Sequence, residues 1–133
     1  RRNEVMFQDP GKAYVYFIYG NHFCLNVVAH QTSSAGAVLI RAIEPISGLD
    51  QMKKNRGLQE NLLLASGPGR LTEALKIDRM FNGIDLVSDK ILSIQMTDET
   101  SLRCGTSKRI GIRKGIERRW RFFALDSKFV SRR

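Results

Sequence analysis

A run of tyrosines and β-branched residues near the start of the chain has the composition and spacing of an aromatic β-hairpin. Aromatic and aliphatic residues alternate over Tyr14–Ile18 and Phe23–Val28, and Gly20-Asn21 between them is a turn signal. Tyr19 therefore lies near the hairpin tip, where its ring exposes apolar surface to water unless a partner covers it. Stacked DNA bases could cover it, because minor-groove proteins and base-flipping enzymes insert side chains into the base stack. The alternative is a ring that packs sideways on its own strand.

The charge of the chain favours the nucleic-acid interpretation. It has 22 Lys and Arg against 13 Asp and Glu, a formal net charge of +9, as expected of a phosphate-binding surface. Ten of the basic residues fall in Lys108–Arg133, where only Glu117 and Asp126 oppose them. A solvated basic face without a partner is the alternative, but an excess of this size in a short chain favours nucleic acid.

The length of 133 residues predicts a single domain, and no apolar run or signal-peptide pattern indicates a membrane or secretory protein. We therefore expect an intracellular protein, in the cytoplasm or nucleoid, or in the nucleus if the source is eukaryotic. Cys24 and Cys104 are isolated and lack metal-ligand spacing, so both are expected to be reduced, buried thiols, and no metal site is expected. The chain opens with Arg1-Arg2-Asn3 and no methionine, which suggests a piece of a longer protein.

The pattern along residues 1–133 predicts an α+β domain with a largely antiparallel curved sheet, a protruding hairpin and a few helices. The reason is that strands and helices do not alternate as βαβ units. Helices are expected from Ser47 or Gly48 to Arg56, and from Pro68 to about Ile77. Further strands are expected at Ala37–Ile43, Asp85–Val87, Ile91–Met96, Lys108–Ile112 and Arg121–Leu125.

Two further positions have residue types that could bind anions or need a partner. Ser66–Arg70 opens the second predicted helix without the Lys-Ser/Thr pair of a P-loop, so it is either a structural cap or a contact of the helix start and Arg70 with a DNA phosphate. Arg41 is the one charged residue in the predicted strand Ala37–Ile43, and a charge that faces a core must be paired. A structural ion pair is the default interpretation, with Glu44 as the candidate partner.

Short blocks along nearly the whole chain follow one order. They are Arg2-Asn3 with Met6-Phe7 and Gly11, then Tyr14–Gly20, Phe23–Asn26, Leu39–Pro45, Ser66–Leu71, Arg109–Ile112, Trp120–Phe122 and Phe129–Arg132. In combination these blocks resemble the alkyladenine (3-methyladenine) DNA glycosylases. The resemblance implies hydrolytic, monofunctional removal of alkylated purines from double-stranded DNA in base-excision repair. It implies a monomer with no metal, no organic cofactor and no membrane partner.

The resemblance also implies site residues. Tyr19 would fill the space that a flipped nucleotide vacates, and Tyr16 would stack on the alkylated base. Asn26 would line the same pocket against the amino group of undamaged guanine; otherwise it is a strand residue bonded to backbone. Arg41 and the main-chain carbonyl of Ile110 would position the attacking water. Phosphate contacts are expected from Asn21, His22, Arg70, Lys108 and Arg113, although His22 could equally be a plain turn residue.

The general base of that family is a glutamate in a Glu-Thr-Glu-Ala-Tyr type motif upstream of the hairpin, and a tyrosine and a histidine after it complete the aromatic pocket. The chain starts after those positions, and Glu4 does not occupy an equivalent one. We therefore expect a chain that binds DNA and lacks water activation. Two other classes stay open: a non-enzymatic module whose tyrosines stack on single-stranded bases, and a decayed gene fragment that does not fold.

The hairpin register provides a geometric test of the pocket hypothesis. Tyr16 and Asn26 point to the same face of the sheet only if the turn leaves an odd number of residues unpaired, or if a bulge intervenes. The pocket hypothesis requires that outcome.

Overall fold

The computed structural model describes residues 3–31, 34–96 and 102–130, and its antiparallel sheets and two α-helices confirm the α+β class. One sheet contains, in this order, β1 (Ala13–Ile18), β2 (His22–Val28) and β3 (Ala37–Leu39). A second sheet pairs β4 (Cys104–Ser107) with β5 (Arg121–Ala124). The helices are α1 (Leu49–Arg56) and α2 (Pro68–Ala74), and short 3₁₀ helices occupy Glu4–Phe7, Asn61–Leu63 and Arg79–Phe81.

One face of the first sheet lies against the main hydrophobic core. Its residues Ala13 and Val15 are buried together with Leu71 of α2. The Thr72 hydroxyl, one position further along α2, donates to the Phe23 carbonyl of β2 at 2.9 Å and holds the helix against the sheet. Because side chains alternate along a strand, this packing turns the other set of residues in β1 and β2 toward the opposite face.

The opposite face is only partly covered. Val5, in the first 3₁₀ helix, packs with Tyr14 and Val28 at one end of that face. Tyr16 and Asn26 belong to the same face and border a cavity instead. The fold therefore buries one side of the hairpin and leaves the other available for a site.

Both predicted helices are present. Gly57, with a φ of 62°, ends α1 in the left-handed conformation that glycine adopts at little cost. α2 ends at Ala74 and not at the predicted Ile77, because Lys76 takes a φ of 56° and the Ile77 amide closes the helix end on the Thr72 carbonyl at 2.8 Å. The closed end places Ile77 in the core.

The predicted third strand is shorter than expected. β3 ends at Leu39, and Ile40 makes one more sheet hydrogen bond to the Leu25 carbonyl at 3.0 Å. Ile43 then donates to the Ala65 carbonyl at 3.3 Å, so the chain has left the sheet. Burial of the two isoleucines against the core produces the bend, which the apolar run alone did not reveal.

The predicted strand Arg121–Leu125 is present as β5, whereas the other three predicted strands are absent, although the structure describes all of their residues. Ile91–Met96 and Lys108–Ile112 are irregular, and Asp85–Val87 contributes one isolated bridge. The unpredicted strand β4 has no alternation of large apolar and polar residues in its sequence, Cys-Gly-Thr-Ser. A Cβ on its Gly105 would lie 2.8 Å from the Phe123 ring of β5, so glycine permits this close contact. An aromatic ring that covers a glycine stabilises this pair, and it leaves little signal in β4 alone.

Candidate active site

The hairpin register meets the condition for a shared pocket. β1 pairs with β2 so that Tyr16 lies opposite Cys24 and Tyr14 lies opposite Asn26. Ile18 is the last paired residue of β1, and the three residues 19–21 stay unpaired in the turn. The odd number places Tyr16 and Asn26 on one face, as the pocket hypothesis requires.

A cavity of about 730 Å³ lies between that face, the segment after β3, and β5 with the residues that follow it. The four residues predicted for base binding and water positioning all line this cavity: Tyr16, Asn26, Arg41 and Ile110. They come from four separate parts of the sequence. Their convergence on one cavity is the main result of the tertiary structure for function.

Asn26 is 6% exposed, and its side-chain amide has a defined orientation. Nδ2 donates to the Tyr14 carbonyl at 3.0 Å within the sheet. The structural alternative, an asparagine bonded to neighbouring backbone, is therefore correct as far as Nδ2 is concerned. The same bond holds the amide at the cavity wall, so a structural bond and a place in the pocket are compatible.

Arg41 and Ile110 are in contact although 69 positions separate them. Arg41 Nη1 donates to the Ile110 carbonyl at 3.4 Å, a long hydrogen bond that still fixes the two groups side by side. The expected ion pair of Arg41 with Glu44 is not formed among the described residues. The Glu44 carboxylate instead accepts a hydrogen bond from the Ser127 hydroxyl at 3.1 Å, and both residues line the cavity.

The Cys24 thiol is hydrogen-bonded to Tyr16 and interacts electrostatically with the Arg41 guanidinium. Burial raises the pKa of the Cys24 thiol, and the neighbouring Tyr16 hydroxyl and Arg41 guanidinium only partly oppose that rise. The thiol therefore stays protonated at neutral pH and is a poor nucleophile. Cys24 is a buried thiol as expected, whereas Cys104 is exposed, because its position on the short β4 faces solvent.

Tyr19 is 82% exposed at the hairpin tip, which contradicts a ring packed sideways on its strand. Its φ of 55° is in the left-handed region, which costs a non-glycine residue roughly 1–2 kcal/mol. In the same hairpin Phe17 and Phe23 do contact each other, with ring centroids 5.0 Å apart. An exposed aromatic residue held in an unfavourable backbone conformation is a candidate for function.

The predicted phosphate contacts fall into two groups. His22 lies against the start of α2, where a Cβ on Gly69 would come 2.9 Å from the His22 ring, so Gly69 permits the close approach. Asn21 and Arg70, the sequence neighbours of His22 and Gly69, are exposed. The other group, Lys108 and Arg113, is exposed in the connection between β4 and β5 and flanks Ile110 in sequence.

Two cavity residues beside these were missed as site residues. Trp120 lines the cavity, with the Arg118 guanidinium 4.4 Å and the Arg109 guanidinium 5.6 Å from its ring centroid. Arg121 also lines it, and its Nη1 donates to the Ser107 hydroxyl at 3.0 Å. The available signal was the single tryptophan of the chain inside an Arg-Arg-Trp-Arg run, which the pattern marked as basic and as one of the family blocks but not as a site.

In the described part of the chain, no helix is both long and apolar enough to cross a membrane. The same residues contain no group of three His, Cys, Asp or Glu side chains arranged to hold a metal ion.

Residues 1–128 match the sequence profile of the methylpurine-DNA glycosylases. Proteins named "Putative 3-methyladenine DNA glycosylase" are similar over the same region. The one from Chlorobium phaeobacteroides is 46% identical over 98% of this chain and 66% of its own length. Those from Carboxydothermus hydrogenoformans and Salinibacter ruber are 46% and 42% identical over 70% and 63% of their lengths. The chain thus spans about two thirds of these relatives, and it belongs to the methylpurine-DNA glycosylase family.

Proposed function

We propose that this chain is the DNA-binding and base-binding part of a DNA glycosylase that hydrolyses the N-glycosidic bond of alkylated purines, with 3-methyladenine as the representative substrate. One observation supports this most directly: Tyr16 and Asn26 share a cavity with the Arg41–Ile110 contact. That arrangement combines an aromatic surface, an amide and a water-positioning pair in one place. The substrate class follows the name of the relatives.

Residues of the hairpin extrude and bind the base before the glycosidic bond is hydrolysed. A base inside a duplex has to leave the stack before its glycosidic bond can be attacked, and an exposed ring at the hairpin tip can occupy the space left behind. Tyr19 has that position. Tyr16 then stacks on the extruded base, and an alkylated, electron-poor ring gains a cation–π contribution on an aromatic face.

The hydrolytic step uses a second pair of residues that line the same cavity. Arg41 and the Ile110 carbonyl hold a water between a cationic donor and an acceptor, on the sugar side of the bound base. Deprotonation of that water is assigned to the motif glutamate of the family, which the resemblance places upstream of the hairpin. The protein acts as a monomer on double-stranded DNA, in the compartment that holds the genome.

A binding measurement separates this proposal from a non-enzymatic module. The chain is expected to bind a duplex with a flipped abasic mimic at least 10-fold more tightly than the intact duplex, because an extruded site needs no energy to break its stacking, about a few kcal/mol. Competition binding at fixed salt measures the ratio. Equal affinity for both duplexes, with tighter binding to single strands, would support the stacking module and contradict the glycosylase.

The basic connection between β4 and β5 gives a second expectation. The slope of log K against log salt is negative for a DNA-binding protein. Lys108→Gln or Arg113→Gln should make it shallower by about 0.9 for each phosphate that the variant no longer neutralises. The matched control is Lys54→Gln, which removes one charge from α1 on the far side of the core. Slopes equal to that of the unmodified chain in both loop variants would exclude these residues from the DNA contact.

A further inference from the structure

Arg109 lines the cavity, and three neighbouring residues hold its guanidinium in place. Trp120 lies 5.6 Å from it, and Nη2 donates to the Lys114 carbonyl at 3.2 Å. Gly115 completes the enclosure, since a Cβ there would come 2.7 Å from Nη2. With a φ of 66°, Gly115 is in a conformation that other residues rarely adopt, so the position suits glycine on two grounds.

The Arg109 guanidinium is held in place, but not all of its N–H donors are bonded within the described part of the chain. The Lys114 carbonyl takes one of the five N–H donors of the guanidinium, and Nε is buried with no hydrogen-bond partner in the described part of the chain. A buried donor without an acceptor is costly. Arg109 makes no ion pair with any described carboxylate. A cationic group that is held rigidly and keeps unbonded N–H donors is typical of an anion-binding site.

The charges that line the cavity around Arg109 also favour an anion. The described residues that line it carry three positive charges, from Arg41, Arg109 and Arg121, and one negative charge, from Glu44. The Glu44 carboxylate already accepts a hydrogen bond from Ser127. Trp120 is 56% exposed while it also lines the cavity, so it marks the rim. Arg109 is half-buried beside it, one residue before the Ile110 carbonyl. The anion position is therefore at the mouth, next to the water-positioning pair.

We propose that Arg109, braced by Trp120, the Lys114 carbonyl and Gly115, binds the phosphodiester that flanks the extruded nucleotide. This inference rests on the proposed function, since it takes the flipped nucleotide as the ligand. The planar guanidinium offers two parallel N–H donors to two phosphate oxygens, which fixes the sugar as well as the charge. Arg109 is thus a positioning residue that sets the glycosidic carbon relative to Arg41 and the Ile110 carbonyl.

The test uses duplexes in which the phosphodiesters next to the abasic mimic are replaced by neutral methylphosphonates, with fluorescence anisotropy as the readout. Arg109→Gln is expected to weaken binding to the unmodified mimic duplex roughly 10-fold, the scale of a hydrogen bond to a charged group. Methylphosphonates at the flanking positions should weaken binding by the unmodified chain to a similar extent. The two changes together should cost little more than either alone, because both remove the same interaction.

Matched variants separate this interaction from general charge and from folding. Arg79→Gln, on the far side of the sheet, removes the same charge and should add to the methylphosphonate effect independently. Arg109→Lys keeps the charge without the fork and should retain part of the affinity, and Trp120→Leu should bind a few-fold more weakly because the bracing is weaker. Thermal unfolding of each variant shows whether it is folded.

Strictly additive effects of Arg109→Gln and the flanking methylphosphonates would overturn the phosphate contact, as would an Arg109→Gln effect no larger than that of Arg79→Gln. The proposed function fails on a different result: equal binding of the mimic and intact duplexes by the unmodified chain. In that case the effects of Arg109→Gln and of methylphosphonates, alone and combined, are measured on the intact duplex with the methylphosphonates at its centre. Coupling there would keep Arg109 as a phosphate site without base extrusion, and its absence would remove the site altogether.

Discussion

The 133-residue chain alone is expected to bind methylated duplex DNA and to release almost no 3-methyladenine. Joined to a family-type N-terminal segment that carries the motif glutamate, the same chain should excise the base. The physical reason is that, in the proposed function, Arg41 and the Ile110 carbonyl position the attacking water while the family's upstream glutamate deprotonates it, and general-base catalysis contributes roughly 10²–10⁴-fold. Single-turnover excision, with enzyme in excess, measures the chemical step directly.

The control for this experiment is the fusion with its motif glutamate changed to glutamine, which keeps the added surface and removes the base. Loss of excision in that variant would assign the gain to proton transfer and not to better folding. Robust excision by the chain alone would show that the base is inside it. Glu44 is then the first candidate, because it lines the cavity, and Glu44→Gln should abolish that activity.

Tyr19→Ala is expected to weaken binding to the abasic-mimic duplex by about 1–3 kcal/mol, the scale of stacking between one base and one aromatic ring. This corresponds to roughly 5- to 150-fold in the dissociation constant. The free energy of unfolding should barely change, because Tyr19 is 82% exposed and contributes nothing to the core. Binding isotherms and urea unfolding of the same preparations give both numbers.

Tyr19→Gly provides a sharper version of the test. Glycine accepts the φ of 55° without the cost that tyrosine carries there, so stability should stay equal or rise by up to about 1 kcal/mol while binding falls as in the alanine variant. Opposite signs for stability and binding would indicate that the strained conformation is retained for DNA. Unchanged affinity in both variants would remove the wedge role from Tyr19.

The local sequence determined the parts of the fold that depend on neighbouring residues. Alternation over residues 14–18 and 23–28 was enough for the hairpin, and Pro68 marked the start of α2. These signals act over a few positions, through side-chain period and allowed backbone angles, so one chain suffices to detect them. The combined blocks also identified the family, which the sequence comparisons confirm.

Only the tertiary structure decided which residues meet. The parity of the turn determined that Tyr16 and Asn26 share a face, and the early bend after Leu39 brought Arg41 to the Ile110 carbonyl. The strand β4 was missed because Gly105 packs under a ring from β5, a contact that no local pattern encodes. Arg109 and Trp120 lie in two separate family blocks within the basic segment, and only the folded loop brings their side chains together at the cavity. Sequence alone thus determined the local elements and the family, whereas the geometry of the site depended on long-range packing between segments that have no periodicity in common.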